Sequence, residues 1–182
     1  MSRLSETFPV LDGFYPMPKE IMNADFLSAQ QLCGLYTPFT MEVYFNDEMT
    51  DYNIPHTICH ELFHSKGFMR EDEANFVGYL ACTTSDNRAF RYSGYLTGWV
   101  YAGNALAEAD WDFYKELSGE LDPQVKIDLE ENNLFWNSKK GVLSELSNQW
   151  RDAYLKMNNQ PDGIRSYDGM VELMLAYHTG KE

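Results

Sequence analysis

The spacing of apolar positions changes along the chain, and the change marks out its elements. Phe39-Thr40-Met41-Glu42-Val43-Tyr44-Phe45 is rich in β-formers, partly alternates and is closed by Asn46-Asp47, so it predicts a strand. Beyond it, apolar residues recur at three and four positions. Asn53 is placed to cap a helix that opens at Ile54-Pro55, where proline is tolerated in the first turn, and Gly67 to end it. Glu71-Asp72-Glu73 form the acidic first turn of a next helix reaching Thr84, with Phe76, Val77, Leu80 and Ala81 as its buried face. A cap at Asp86 or Asn87 starts another, from about Ala89 to Leu106. Its Gly94 and Gly98 cost helix propensity and point to close packing against a neighbouring helix. Helical patterns then cover Asp110–Leu117, Pro123–Lys139 and Val142–Met157, and a last one covers Ser166–Tyr177 after the Pro161-Asp162-Gly163 turn.

Upstream, Pro9, Pro16 and Pro18 around Gly13 read as an extended arm over residues 1–20. A helix is expected from about Glu20 to Leu32, with Gly34 ending it. There is no internal repeat. The expectation is one domain over residues 1–182: an arm (1–20), a helix and strand (21–53), a pair of site-bearing helices (54–84) and a helical part (85–182). Its class is α+β, a small N-terminal sheet with a predominantly helical remainder.

Composition narrows the function more than the fold. With 44% hydrophobic residues in 182, the chain has ample material for a core. Fourteen basic residues face 28 acidic ones, a net charge of -14 that repels phosphate backbones and anionic headgroups. Nucleic acid is therefore not an expected partner. Cys33, Cys59 and Cys82 are three and widely spaced, which suits buried apolar thiols better than a disulfide framework. The first twenty residues contain no apolar signal-peptide core, and the long uncharged stretch Tyr92 to Ala107 is too short and polar for a membrane span.

The chemistry lies in His60-Glu61-Leu62-Phe63-His64. Two histidines at i and i+4 on a helix share one face, near enough to hold a single tetrahedral ion, and imidazole nitrogens suit Zn²⁺. Glu61, one position on, is rotated away from the ligand direction. It flanks the ion and can take a proton from the attacking water and deliver it to the leaving amine. Cys59 precedes His60 but points about 100° away from it, which makes it a poor ligand. A catalytic site needs a third protein ligand and an open position. His56 shares the face of His60, where a fourth-ligand role would close the site; a solvent-facing or capping role is expected instead. His178 lies near the C-terminus, commonly a frayed place. By the helical period Glu73 aligns with Phe76, Val77 and Leu80, leaving Glu71 and Asp72 to cap or to support the histidines; a solvated first-turn acid is the competing reading of Glu73.

The run Pro55-His56-Thr57-Ile58-Cys59-His60-Glu61-Leu62-Phe63-His64-Ser65-Lys66-Gly67-Phe68 continues through Arg70-Glu71-Asp72-Glu73-Ala74-Asn75-Phe76, Tyr79-Leu80-Ala81-Cys82 and Phe90-Arg91-Tyr92-Ser93-Gly94-Tyr95-Leu96. Together with Ser166-Tyr167-Asp168-Gly169-Met170-Val171 it closely resembles the bacterial DUF3810 family, grouped with HExxH zinc peptidases. The Glu-Ala-Asn segment is also similar to the third-ligand helix of ImmA/IrrE-like peptidases. That resemblance maps the third ligand onto Glu73. It implies a zincin-like fold, a Zn²⁺ cofactor and a peptide or protein substrate. It also implies a domain tethered to a membrane by segments outside this chain, on the outer side.

Two further expectations concern substrate. Arg91, Tyr92 or Tyr95 are candidates to stabilise a developing oxyanion, set against a plain role as core aromatics. The Phe39–Phe45 strand is a candidate edge for an added peptide strand. The leading functional expectation is a zinc metallopeptidase. The alternatives are a metal-binding but non-proteolytic binding or sensing module, and a hydrolase of a non-peptide amide.

Overall fold

The computed structural model describes residues 2–157 and 167–180. The Pro161-Asp162-Gly163 turn and Ser166 lie outside the described residues. Along the chain come α1 (Ser2–Thr7), a short 3-10 turn (Pro9–Leu11), β1 (Lys19–Glu20), α2 (Ala24–Ala29), β2 (Gly34–Thr37) and β3 (Glu42–Phe45). They are followed by α3 (Asn53–His64), α4 (Glu71–Thr83), α5 (Arg88–Ala109), α6 (Trp111–Gly119), α7 (Pro123–Ser138), α8 (Val142–Met157) and α9 (Tyr167–Thr179). The class is α+β: a three-stranded sheet beside a helical body. No helix among the described residues is long and apolar enough to cross a membrane.

The N-terminal third departs most from the sequence pattern. The expected arm carries a helix, α1, and the 3-10 turn, because Leu4 and Leu11 are drawn into the core. The helix expected over 20–32 shrinks to α2, which Asn23 caps by accepting from the Phe26 amide. Lys19–Glu20 instead pair in parallel with Tyr44–Phe45. Gly34 ends no helix; it opens β2, which runs antiparallel to β3 from Gly34↔Phe45 to Thr37↔Glu42. Phe39 and Thr40 fall in the turn between them, so the strand begins at Glu42. The order β1-β3-β2 makes β3 central, not the edge, and leaves β2 at an edge.

The helical body follows its pattern closely. Helix α3 starts one residue before expected, with Tyr52 at the cap position and Asn53 inside the first turn. Gly67 ends it as read, through a Schellman turn. Gly67 takes φ +91°, its amide donates to the His64 carbonyl, and the Phe68 amide donates to the Phe63 carbonyl. The Phe63 and Phe68 rings meet edge-on at 6.1 Å, the apolar contact that accompanies this motif. Gly67→Ala is expected to cost about 1 kcal/mol, the strain of a left-handed residue with a Cβ, measurable by urea unfolding.

Helix α4 then runs back along α3 and is flanked by α5 and α9. Asn87 caps α5 by accepting from the Ala89 amide. Gly94 and Gly98 do mark close approach: a Cβ there would stand 2.7 Å from Cys82 Cβ and 2.8 Å from the Tyr79 ring. The core gathers Cys59, Phe63, Leu80, Cys82 and Met170, from α3, α4 and α9. His178 is not frayed. It sits within α9, and its Nε2 pairs with the Tyr79 hydroxyl at 3.0 Å.

Candidate metal centre

Leu62 and Phe63 are buried, while His60 and His64 face the start of α4 and Glu61 faces β2. His60 Nε2 and His64 Nε2 both face one carboxylate, that of Glu71, at 3.3 and 3.7 Å. These three residues offer donor atoms that all lie within 4.8 Å of one another. A tetrahedral ion with donors at about 2.0–2.1 Å separates them by about 3.4 Å, so the cluster has the size such an ion needs. The donor set, two imidazoles and a carboxylate, is that of an open zinc site.

The tautomers support it. The Schellman turn carries the Phe68 carbonyl back over the ring of His64, whose Nδ1–H donates to it at 2.6 Å. That bond leaves the His64 Nε2 lone pair aimed at the cluster. His60 Nδ1 is buried with no well-formed hydrogen bond. The buried Asn75 side chain lies near enough to favour the protonated ring, but not in good bonding geometry. Burial disfavours a charge on both histidines. For His60, contact with Glu71 and the nearby Glu61 charge outweigh it and raise its pKa, whereas His64 is left below its ordinary value.

Glu73, the ligand implied by resemblance, is not brought to the histidines. It lies two positions past Glu71, about 200° around the helix, half exposed and 3.5 Å from Arg70 Nε. Glu71 is the first residue of α4, and helical side chains lean back toward the N-terminus, here toward the end of α3. The stripe that faces α3 is made of small and polar residues: Glu71, Asn75 and Gly78. The large apolar stripe aligned with Glu73 faces elsewhere, with Phe76 on Tyr177 of α9. Asp72 is buried and held by Arg70 Nη2 at 2.6 Å, pressed against Gly169. His56 neither caps nor faces solvent; it is buried, and its Nε2 meets the Asn75 carbonyl at 3.1 Å.

Glu61 is buried beside the cluster. Burial pushes its carboxyl up to about 7; the His60 charge and the Tyr36 amide act against the rise, and the neighbouring Glu71 charge adds to it. The β2 strand makes this possible. The Asn46 amide donates to the Cys33 carbonyl at 2.8 Å, so in an antiparallel ladder the next bonded pairs are Leu35/Tyr44 and Thr37/Glu42. Gly34 and Tyr36 therefore turn their amides and carbonyls away from β3, and the Tyr36 amide lies near enough to the Glu61 carboxylate to favour its charged form. Gly34 is needed for the approach: a Cβ there would stand 2.7 Å from Glu61 Cγ and 2.8 Å from its Oε1. Gly34→Ala therefore forces β2 or Glu61 to shift and is expected to destabilise the protein by about 1–3 kcal/mol, the usual cost of overpacking, measurable by urea unfolding.

The oxyanion candidates lie elsewhere. Arg91 donates to the carbonyls of Ser85 and Asp86, the Tyr92 hydroxyl donates to Asp128, and Tyr95 is exposed.

A family model described as a protein of unknown function, DUF3810, matches residues 1–175. The chain belongs to the DUF3810 family. No curated protein and no solved structure matches it. In this DUF3810 chain, sequence reasoning missed Glu71 as the facing carboxylate, and β2 with its Gly34 and Tyr36. The signal for Glu71 was the tight turn after Gly67, which returns the very first residue of α4 to the histidines. For β2 it was the run of Leu35-Tyr36-Thr37 after a glycine, too short to stand out.

Proposed function

We propose that this protein is a zinc-dependent peptidase of zincin-like design, with His60, His64 and Glu71 as ligands and Glu61 as the general base. The observation that carries the reading is the packing of Glu61 between the three-donor cluster and the outward-facing backbone of β2. Zinc, when bound, would supply a Lewis acid that polarises the scissile carbonyl and makes an adjacent water acidic.

The remaining work falls to this chain's own residues. A carboxyl whose pKa lies near neutrality accepts a proton readily and returns it to a leaving amine, which is the task of Glu61. The Tyr36 amide orients that carboxylate. On the outward side of β2, the Gly34 amide and carbonyl and the Tyr36 carbonyl match the hydrogen-bonding pattern of an extended peptide. A peptide laid there as an added strand would pass beside Glu61. This repeating backbone pattern favours a peptide over other amides. Because His56 is turned to the Asn75 carbonyl, the cluster keeps three protein donors among the described residues, which favours an open site over a sealed one. Tethering to a membrane through segments outside this chain belongs to the same proposal and rests on family resemblance alone.

The test is to incubate the purified protein with an unstructured protein substrate and map new termini by mass spectrometry. Cleavage that needs zinc and stops with a chelator is expected. If no bond is cut by a protein loaded with one equivalent of zinc, the peptidase reading fails.

A further inference from the structure

One turn of helix behind the cluster lies a second polar layer. Its members are His56 on α3, four residues before His60, and Asn75 on α4, four residues after Glu71. Both side chains are buried. A buried imidazole costs stability unless it bonds, and here it does, His56 Nε2 donating to the main-chain carbonyl of Asn75 at 3.1 Å. The His56 main chain is fixed as well, since its amide donates to Ser93 Oγ of α5 at 3.0 Å. The helices touch at this level: a Cβ on Gly78 would stand 3.3 Å from His56 Nε2 and 3.4 Å from the His60 amide nitrogen. The side chain of Asn75 extends from the same residue toward His60, whose Nδ1 is the one buried side-chain polar atom without a hydrogen bond among the described residues.

We propose that His56 is a positioning residue of the metal centre. By holding the Asn75 carbonyl it sets the register of α4 on α3, and so keeps the Asn75 side chain near the His60 ring and Glu71 before His60 Nε2. Outer partners of this kind fix the orientation of a ligating imidazole and typically change metal affinity 10–100-fold when removed. The inference rests on the metal-centre reading above. No charge on His56 is needed: its neutral ring, with the proton on Nε2, makes the bond. The titratable group that faces it is His60, with ring centres 6.5 Å apart.

The test measures zinc affinity by competition with a chromophoric chelator and ligand geometry by the visible spectrum of the cobalt-substituted protein. His56→Leu is expected to weaken zinc binding about 10–100-fold and to alter the cobalt spectrum. His56→Gln keeps an N–H donor and should restore both. In His56→Leu/Asn75→Ala, affinity should fall further than in Asn75→Ala alone, because the main-chain carbonyl that His56 holds survives the alanine and still places Glu71, but by less than the two single losses combined, because part of the His56 effect runs through the Asn75 carboxamide. A His56→Leu protein that folds and binds zinc with wild-type affinity overturns the inference, and so do additive losses in the double variant. The wild-type protein gives a second readout that needs no variant to fold: zinc, by stabilising the closed arrangement in which His56 holds the Asn75 carbonyl, should slow solvent exchange of the His56 Nε2 proton. An exchange rate indifferent to zinc overturns the proposal. A wild-type protein that binds no zinc at all sinks the metal-centre reading instead, and the two failures are thus distinguishable.

Discussion

Glu61→Gln is expected to lower peptide hydrolysis by about 10²–10⁴-fold while one zinc per chain remains bound. The amide has nearly the shape of the carboxyl, so the gap against Gly34 is still filled and His60 and His64 are not disturbed. What it loses is the ability to accept a proton. The same variant has a second, independent signature in the metal-free protein. A folded-state pKa of about 7 against an ordinary 4.5 means the folded protein holds the Glu61 proton more tightly than the unfolded chain. Stability is then fully present below about 4.5 and is lost as pH rises through about 7. At 1.4 kcal/mol per unit the loss amounts to about 3 kcal/mol. His56 acts in the opposite sense: burial and the nearby His60 push its pKa down to about 4, so its contribution is lost as pH falls from the ordinary 6.5 toward 4. The difference between wild type and Glu61→Gln cancels that background. Urea unfolding at pH 5 and pH 8 should show the variant more stable than wild type only at the higher pH. Equal pH slopes would mean that Glu61 is not buried as described.

The second large effect separates two neighbouring acids. Glu71→Ala is expected to weaken zinc binding more than about a hundredfold, beyond the loss typical of an outer partner. Glu73→Ala removes only an exposed pairing with Arg70, 3.5 Å away, and should change affinity less than about fivefold, the scale of a surface ion pair. Competition titrations on the two variants check this directly. If Glu73→Ala carries the large loss and Glu71→Ala the small one, α4 is rotated relative to the arrangement described.

That pair of residues also marks how far the sequence could be read. The helix with His60, Glu61 and His64 was legible because its signals are local: a proline in the first turn, an apolar stripe, and a glycine that the Schellman turn requires. The choice between Glu71 and Glu73 was not local. Helical periodicity finds the stripe with the largest apolar residues, and on α4 that stripe includes Phe76, which packs on α9. The stripe turned to α3 is small and polar because Gly78 must admit His56 and the main chain at His60. Nothing in the pattern of one helix says which neighbour each face will meet. His56 was misjudged for the same reason, since its bonding partner is a main-chain carbonyl, and such a partner leaves no mark in the sequence. The strand at 39–45 was legible in part, but its place in the sheet depended on β2, a four-residue element whose first residue is a glycine. That exchange moved the candidate peptide-binding edge from β3 to β2, and with it brought Gly34 and Tyr36 to Glu61.

The proposed function stands on a three-ligand centre built from His60, His64 and Glu71 with an open position beside Glu61. The most direct measurement is metal stoichiometry of the purified protein combined with X-ray absorption at the zinc edge. One zinc per chain is expected, held by two imidazoles and one carboxylate, with a further light-atom ligand that exchanges with solvent. Absence of bound zinc under saturating conditions, or a sulfur donor, or a closed shell of four protein ligands, would contradict it.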